Sequence, residues 1–339
     1  RQPRSDIIRP MEAVDETHPY ERLTPDLILS SLESCGFNCD GRLLALNSYE
    51  NRVYHVGIED QKPVIVKFYR PERWTVDAIL EEHSFARELT QHEIPVVAPL
   101  CFEATTLHRH EGYRYAVYPR QGGHWPELDK AEHREWMGRF LAQIHIVGAS
   151  QPFQHRPAIT LENYGEESVA YLLQHDFIPQ DLQLAYRTLA EDLLQQIRRA
   201  YQRAGDIDNI RLHGDCHPGN ILWTDSGPHF VDFDDTRSGP AIQDLWMLLS
   251  GERQEMSLQL SDILAGYEMF REFDTRELHL IEALRTLRML HYSAWLARRW
   301  QDPAFPYNFP WFNSSRYWED QILSLREQAA KMDEPILMV

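Results

Sequence analysis

The chain has 339 residues, of which 43% are hydrophobic and 25% are charged, as is typical of folded globular proteins. Its formal net charge of −18 argues against a protein that mainly binds nucleic-acid backbones, because that function needs a basic surface. The four cysteines are too few for a disulfide framework, so we expect a cytoplasmic protein. Since no apolar run approaches the length of a membrane span, no membrane partner is expected either.

Residues 1–22 contain few apolar side chains, and we expect them to form a disordered N-terminal extension. A helix is predicted from Thr24, which can act as its N-cap, with Pro25 in the first turn and Gly36 as the stop. Three β-rich runs follow, which predict an antiparallel meander: about 42–46, 52–58 and 63–69.

A second helix is predicted in TVDAILEEHSFARELTQHE, since its apolar residues fall mostly on one face and Thr75 can cap it. The segments IPVVAPLCF and YRYAVYP add two predicted strands. The Pro-Arg-Gln-Gly-Gly stretch at 119–123 is the most linker-like part of the chain. We therefore place an N-terminal lobe at 23–118 and a C-terminal lobe at 119–339.

The C-terminal lobe is predicted to be mostly helical. Helical patterns cover seven segments: about 129–148, 162–175, 181–204, 241–250, 254–271, 275–300 and 315–332. One short β pair, at 221–223 and 229–232, interrupts them. The expected fold class is α+β, with a small β-rich lobe that carries one key helix, a larger helical lobe, and a ligand cleft between them.

The segment LHGDCHPGNILW carries His213, Asp215 and His217 at alternate positions. On an extended strand these three side chains would share a face, and they are suitable ligands for zinc or iron. However, HPGN indicates a loop, and no matching His or Asp pair completes a site. A metal cluster is therefore one of two alternatives for this segment.

The second alternative includes residues further along the chain. Asn220 and Asp232, on neighbouring strands of a small hairpin, could share Mg²⁺ as hard oxygen ligands. Asp215, in the loop before them, could accept a proton from an attacking hydroxyl. A base, an Asn and a metal-binding Asp in this order are the arrangement of phosphoryl transfer in kinases.

The motifs HGDCHPGNILW and FVDFDD resemble the catalytic and metal-binding loops of the aminoglycoside and choline kinase superfamily. Together with LNSYENRVY, VIVKFYRPERW, GPAIQDLWMLL and RRWQDPAFPYNFPW, they resemble the bacterial stress response kinase A family, from about Leu23 to Ala330. This resemblance implies a bilobal protein-kinase-like fold. It also implies ATP-dependent phosphorylation of serine or threonine in proteins, in the cytoplasm, with a role in surviving stress.

The resemblance also assigns residues of the N-terminal lobe. Lys67, inside an apolar run, would contact nucleotide phosphates and a helix carboxylate, since burying an unpaired ammonium is costly. Glu82 aligns better than Glu81 with the superfamily's glutamate, and Glu81 is interpreted as solvated. The loop between the first two strands has no glycine, so backbone N–H groups and the Ser48 hydroxyl are expected to cover the phosphates.

Backbone groups around Val117 and Tyr118 are expected to hydrogen-bond the adenine edge. Asp244 matches the superfamily aspartate that braces the catalytic loop, a supporting role.

Three further features receive an interpretation. Asp234 and Asp235 are interpreted as local turn anchors. The aromatic tract 300–312 is interpreted as a loop packed on the C-terminal lobe, with a wall of the acceptor site as the alternative. Cys216 is interpreted as a small residue packed under the loop, with a peroxide-sensitive switch as the alternative.

The expected function is an ATP- and Mg²⁺-dependent serine/threonine protein kinase, with Asp215 as the base and with Asn220 and Asp232 as metal ligands. Its acceptor is a protein of unspecified identity, and the chain is expected to be a monomer. Two rivals stay open. A small-molecule kinase would be favoured by an acid-rich cleft, whereas a non-catalytic nucleotide-binding module is disfavoured by the intact set of site residues.

Overall fold

The structure, a computed structural model, describes residues 18–339. Residues 1–17 of the predicted disordered extension lie outside the described residues. Its last part, 18–22, is described, and Tyr20 there is buried in the sheet's core. The Tyr20 hydroxyl donates to the carbonyl oxygens of Glu50 and Phe68, each at 3.2 Å. The chain is therefore packed against the sheet before Leu23.

An antiparallel five-stranded sheet forms the N-terminal part of the molecule. Its strands are β1 (Cys39–Ala45), β2 (Arg52–Ile58), β3 (Val64–Phe68), β4 (His108–His110) and β5 (Tyr113–Pro119). Their order is β1-β2-β3-β5-β4. Helix α1 (Pro25–Glu33) begins where predicted, because the Thr24 hydroxyl accepts a hydrogen bond from the Leu27 amide. Side chains of α1, β2, β3 and β5 form the smaller of the two main cores.

The prediction of a strand in IPVVAPLCF is wrong. Residues 94–102 form no regular strand, since Pro95 and Pro99 have no amide hydrogen to donate to a ladder. The segment still makes backbone hydrogen bonds to both parts of the molecule. The Val97 amide donates to the Phe230 carbonyl at 2.9 Å, the Phe230 amide donates to the Pro95 carbonyl at 2.8 Å, and the Leu100 amide donates to the Val117 carbonyl at 2.7 Å. It therefore connects the sheet to the second part of the molecule.

Helix α2 (Val76–Gln91) lies between the sheet and the helical part. Thr75 caps it as predicted, by accepting a hydrogen bond from the Ala78 amide. Phe85 and Leu89 of α2 belong to the larger core, which the helical part supplies. Side chains of α2 therefore join the two parts.

The remainder of the described chain is mostly helical, as predicted. Its α-helices are α3 (Ala131–Ala149), α4 (Glu167–Gln174), α5 (Gln183–Ala204), α6 (Ile242–Trp246), α7 (Arg253–Tyr267), α8 (Ile281–Arg298), α9 (Ala304–Asn308) and α10 (Ser315–Met332). A π-helical turn at Leu161–Glu166 precedes α4, and a 3-10 segment at Thr275–Leu280 precedes α8. None of the helices within residues 18–339 combines the length and apolar character that crossing a membrane requires.

Two small sheets interrupt these helices. In one of them, β6 (Ile210–Leu212) pairs with β9 (Arg237–Gly239). The other is the predicted hairpin of β7 (Ile221–Thr224) and β8 (Gly227–Phe230), which lies between β6 and β9 in the chain. The β6–β9 pair was not predicted, because three residues per strand are too few for alternation to be recognised. The chain between β6 and β9 contains Asp215, Asn220 and Asp232.

Candidate active site

Helix α6 holds the loop that follows β6. The Asp244 carboxylate accepts hydrogen bonds from the amides of His213 and Gly214, both at 2.9 Å. It also lies 3.1 Å from Nε2 of the buried His145. Gly214 has a φ of 86°, and a Cβ there would collide with the carbonyl oxygen of Asp235, so this position requires glycine. Asp244 thus makes the bracing contacts that the sequence predicts.

Asp215 lies in this braced loop, with its side chain 22% exposed. One carboxylate oxygen accepts a hydrogen bond from Arg288 at 2.6 Å, and the other lies 3.4 Å from both His217 Nε2 and Asn220 Nδ2. Asn220 also donates to the Asp215 carbonyl oxygen at 3.0 Å. Burial opposes ionisation, but His217 and Arg288 outweigh it and hold the pKa of Asp215 below its ordinary value.

The three side chains of the alternative metal cluster have separate partners. Nδ1 of His217 accepts a hydrogen bond from the Gly219 amide at 3.0 Å, whereas Nε2 of His213 lies 2.8 Å from the Val231 carbonyl oxygen. In the described part of the chain, no group of three or more His, Cys, Asp and Glu side chains is placed to hold a metal ion. This geometry does not support a zinc or iron cluster.

Asp232 lies two residues after the end of β8 and has a left-handed backbone conformation, with φ 59° and ψ 67°. Such backbone strain in a non-glycine residue is concentrated at functional sites. The carboxylate is 54% exposed and lies 3.8 Å from Nζ of Lys67. Although its oxygens reach solvent, enclosure by the cleft raises the pKa of Asp232 to about 6. Lys67 opposes this effect, and the carboxylates of Asp234 and Asp235 add to it.

Lys67 is buried on β3 and pairs with Glu82 of α2, as predicted. Its Nζ donates to Glu82 at 3.1 Å and lies 3.5 Å from Asp234. The second oxygen of Glu82 accepts a hydrogen bond from Arg156 at 2.8 Å. Burial opposes the charge of Lys67, but Glu82 in particular outweighs it, so the pKa of Lys67 is well above its ordinary value.

Glu81 is not simply solvated. Its carboxylate accepts hydrogen bonds from the three consecutive amides of Gln154, His155 and Arg156, at 2.6, 2.9 and 2.8 Å. The two neighbouring glutamates thus have separate tasks. Glu81 ties α2 to the chain segment that brings Arg156 to Glu82.

The interpretation of Asp234 and Asp235 as turn anchors is wrong. Asp234 is buried and forms an ion pair with Arg73, which also lies 2.6 Å from Asp235. Burial would raise the pKa of Asp234, but Arg73 and Lys67 hold it below its ordinary value. Both aspartates therefore belong to the charge network that joins the segment before α2 to the residues after Asp232.

One cavity, of about 410 Å³, separates the sheet from the β7–β8 hairpin, and we call it the sheet-side cavity. Its apolar lining includes Leu46, Val53, Ile65, Val97, Leu222 and Phe233. Its polar lining includes Asn47, Ser48, Lys67, Glu82, Asn220 and Asp232. Such a mixture is typical of sites that hold an organic ligand with a charged end.

Of the two residues expected to hydrogen-bond adenine, Tyr118 lines the sheet-side cavity and Val117 does not. Val117 is fully buried in the smaller core, and its carbonyl already accepts a 2.7 Å hydrogen bond from the Leu100 amide. Tyr118, Pro119 and Gln121 line the cavity, whereas Val117 does not. The geometry therefore does not support the assignment of Val117, whereas Tyr118 stays a prediction.

A second cavity, of about 520 Å³, includes Asp215 in its lining, and we call it the arginine-lined cavity. Five arginines line it: Arg73, Arg237, Arg288, Arg298 and Arg299. Three carboxylates line it as well: Glu50, Asp215 and Asp235. The space beside Asp215 therefore carries more cationic than anionic side chains.

The aromatic tract 300–312 contacts both parts of the molecule. Three of its phenylalanines are buried in the larger core, as the packing interpretation expects, and none of its residues lines the arginine-lined cavity. The buried Asp302 accepts hydrogen bonds from Arg52 at 3.2 Å and from Arg70 at 2.5 Å. The tract thus anchors the sheet to the helical part.

A model of the phosphotransferase enzyme family matches residues 42–302, a span that contains both cavities' polar residues. The chain belongs to the phosphotransferase enzyme family. This phosphotransferase is 48% identical over 320 residues to stress response kinase A of Escherichia coli O157:H7. The alignment covers 94% of this chain and 97% of that protein. The chain is 46% identical over 325 residues to serine/threonine protein kinase RdoA of Salmonella typhimurium strain LT2, with 96% and 98% covered. The sequence-based assignment to the stress response kinase A family is confirmed.

The structure of this phosphotransferase is similar to that of amicoumacin kinase hAmiN, with a TM-score of 0.71 at 20% sequence identity. The match covers 91% of this chain and 94% of that protein. It confirms the predicted α+β, bilobal, protein-kinase-like fold class.

Sequence reasoning missed the arginines of the site. Arg288 and Arg298 lie on α8, and Arg156 lies in an irregular segment, far along the chain from the residues they approach. Arg73 stands inside the motif VIVKFYRPERW, which was the one available signal. Only the fold shows that these side chains converge.

Proposed function

We propose that this phosphotransferase is an ATP- and Mg²⁺-dependent serine/threonine protein kinase that acts in the cytoplasm in bacterial stress response. One observation carries the proposal. Asn220 lines the sheet-side cavity and donates a hydrogen bond to Asp215, which lines the arginine-lined cavity. A nucleotide in the first cavity and a hydroxyl in the second would meet at this contact, as positioning for phosphoryl transfer requires.

Each residue of the proposed site has a separate task. Asp215 would accept the proton of the acceptor hydroxyl, and Lys67, held by Glu82, would bind nucleotide phosphates. Asn220 and Asp232 would hold Mg²⁺, which when bound neutralises charge on the phosphates. Ser48, in the loop between β1 and β2, would cover the phosphates from the sheet.

The residues around Asp232 fit a divalent cation. Its carboxylate is open to the cavity. Enclosure by the cleft is the main cause of its raised pKa, and the carboxylates of Asp234 and Asp235 add negative charge beside it. A carboxylate oxygen and the carboxamide oxygen of Asn220 are hard ligands of the kind that Mg²⁺ prefers. The apolar walls of the same cavity suit a nucleotide base.

Two relatives support the choice of co-substrate and acceptor. Amicoumacin kinase hAmiN was solved in complex with AMP-PNP and Ca²⁺. The Salmonella relative is named a serine/threonine protein kinase. By similarity, we propose that this chain binds ATP with a divalent cation and phosphorylates serine or threonine of a protein.

The two rival functions are disfavoured by the site. A small-molecule kinase for cationic amines would favour an acid-rich acceptor cleft, but five arginines line the cavity beside Asp215. A non-catalytic module would not need an ionised carboxylate in the lining of the arginine-lined cavity.

ATP turnover with three classes of acceptor tests the proposal. The purified chain is given Mg²⁺ and labelled ATP without acceptor, with a panel of hydroxyl- and amine-bearing metabolites, and with a casein-like protein. We expect label on serine or threonine of the protein. Transfer to metabolites alone would support the small-molecule kinase, and no turnover under any condition would support the non-catalytic module.

Replacing the proposed base gives the first mutational prediction. Asp215→Asn preserves the size of the side chain, so ATP should still bind, while kcat falls by about 10²- to 10⁴-fold. Steady-state kinetics and nucleotide titration measure the two effects. Asp225→Asn, in the exposed β7–β8 turn, is the matched control and should be neutral. Turnover of Asp215→Asn within about threefold of wild type would contradict the assignment.

A further inference from the structure

We propose that the acceptor is a peptide segment with an anionic group close to the phosphorylated hydroxyl, and that Arg237, Arg288 and Arg298 bind this group. The proposal rests on the function proposed above and names the substrate class of the same site. It starts from a contrast in charge. The chain as a whole carries a formal net charge of −18, but five arginines and three carboxylates line the cavity at Asp215.

The arginines of this cavity differ in how far their donors are used. Arg73 is committed to Asp234 and Asp235, and Arg299 lies 2.5 Å from Glu50. These ion pairs hold the sheet and the helical part together. They leave the two arginines little capacity for a ligand.

Arg237 and Arg298 have donors to spare. Nε of Arg237 is buried without a hydrogen-bond partner, and its nearest carboxylate, that of Asp235, is 3.8 Å away. Arg298 makes one long hydrogen bond, 3.4 Å to the Glu167 carbonyl, and its guanidinium lies 5.0 Å from the centroid of the Tyr171 ring, but it forms no ion pair within residues 18–339. Because a guanidinium has five N–H donors, both side chains can bind a carboxylate or phosphate.

Arg288 connects anion binding to the proposed base. It is 43% exposed, and its hydrogen bond at 2.6 Å occupies one oxygen of Asp215. An anionic group on the acceptor would compete for the same guanidinium. Drawing Arg288 away would free Asp215 to accept the hydroxyl proton, so the correct acceptor would itself release the base.

The rim of the cavity suits a chain segment. Tyr49 and Tyr292 line the cavity and are 36% and 40% exposed, and Trp74 and Trp295 line it further in. Exposed aromatic side chains beside arginines are typical of protein-binding surfaces. An extended peptide can therefore lie across the rim with one anionic side chain among the arginines.

Serine peptides that differ only in the residues flanking the serine test the proposal. The flanking residues are Glu, phosphoserine, Gln or Lys. We expect kcat/KM to be about tenfold higher for the Glu or phosphoserine peptide than for the Gln peptide, and lowest for Lys. A faster phosphoserine peptide identifies the anion as phosphate, and a faster Glu peptide identifies it as carboxylate. Equal rates for all four peptides, or a rate for Lys as high as that of the fastest anionic peptide, would overturn the proposal.

Arg298→Gln separates recognition from folding. It should lower kcat/KM for the anionic peptides about tenfold and leave the Gln peptide unchanged. Arg316→Gln, at an 89% exposed side chain of α10, is the matched control and should change neither rate. An equal loss on all peptides would mean a structural role for Arg298 and would count against the proposal.

A casein-like protein, tested as acceptor beside the peptides, distinguishes failure of the proposed kinase function from failure of the proposed substrate class. If it is not phosphorylated either, the proposed kinase function fails. If it is phosphorylated while the peptides show no preference for anions, only the substrate class is overturned. Transfer to phosphorylated small alcohols but to no peptide would likewise overturn the peptide assignment.

Discussion

Cys216 directly follows Asp215 in the chain, but its sulfur does not reach solvent. The residue is fully buried and belongs to the larger core. Burial, together with the carboxylates of Asp244 and Asp215, raises the pKa of the thiol well above its ordinary value. Since peroxide reacts with exposed thiolates, the structure favours the packing interpretation over the redox switch.

Peroxide should therefore not act through Cys216. We expect wild type and Cys216→Ser to lose ATP turnover to the same extent at each peroxide dose, because the buried thiol is rarely ionised. Maleimide labelling followed by mass spectrometry should find the exposed Cys101 modified first. Cys101→Ser is the matched control for labelling. A loss of activity confined to wild type and restored by reductant would establish the switch instead.

At this scale, the sequence predicts the residues that lie close together in one motif. Asp215, Asn220 and Asp232 are separated by few residues, and their spacing predicts the phosphoryl-transfer site that we propose. Arg288 could not be predicted, because its contact with Asp215 spans 73 positions and depends on how α8 crosses the loop. Val117 was misplaced because a sequence does not show which backbone groups the sheet already uses.

Helix α6 depends on a buried carboxyl group at its N-terminus. Glu277 is 3% exposed and accepts a hydrogen bond from the Ile242 amide at 2.7 Å. Burial raises the pKa of Glu277 to about 7 from an ordinary value of 4.5. The same short helix carries Asp244, so the protonation of Glu277 bears on the brace of the catalytic loop.

Glu277→Gln should make stability less dependent on pH. Between about pH 4.5 and 7 the folded protein keeps the Glu277 proton while the unfolded chain has lost it, so rising pH lowers the free energy of unfolding. The penalty approaches about 3 kcal/mol above pH 7. Glutamine keeps the carbonyl acceptor without this penalty. Denaturant titrations at pH 5 and pH 8 should show a higher free energy of unfolding for the variant than for wild type only at pH 8. An equal difference in the free energy of unfolding at both pH values would contradict the prediction.

Elements with long patterns or clear caps were predictable, and short ones were not. The helices α2 and α10 have caps and amphipathic faces, and both lie close to their predicted bounds. The run 94–102 is apolar enough for a strand, but it forms none, because it contains prolines and lies between the two parts of the molecule. Strands β6 and β9 are stabilised by each other across the loop, which local sequence does not encode.

At the scale of the whole molecule, buried ion pairs fix the sheet to the helical part. Asp302 forms ion pairs with Arg52 and Arg70, and Asp234 forms an ion pair with Arg73. The Asp302 side chain is 2% exposed, so its charge depends on these partners. The sequence predicts two lobes, but it does not predict the ion pairs that connect them. Charged residues in a polar stretch are normally interpreted as solvent-exposed.

Removing this anchor should be costly. Asp302→Asn removes the carboxylate that pairs with the largely buried Arg52 and leaves Arg70 paired with Glu50 alone. We therefore expect the free energy of unfolding to fall by about 3 kcal/mol. Chemical denaturation followed by tryptophan fluorescence measures it. Asp320→Asn, whose exposed carboxylate pairs with Arg316 at 3.7 Å, is the control and should change stability by less than about 0.5 kcal/mol. A similar small effect of both substitutions would show that Asp302 does not anchor the sheet.

The same ion pairs limit how the chain can be recombined. The arginines lie on the sheet side, and Asp234 and Asp302, which pair with them, lie in the helical part. The sheet side supplies Glu50 to Arg70 and Arg73, but it does not supply all of their countercharges. A chimera that joins the sheet of one family member to the helices of another would keep its fold only if both members have the same pairs. For protein engineers, residues 52, 70, 73, 234 and 302 therefore form one unit of exchange, although the chain separates them by up to 250 positions.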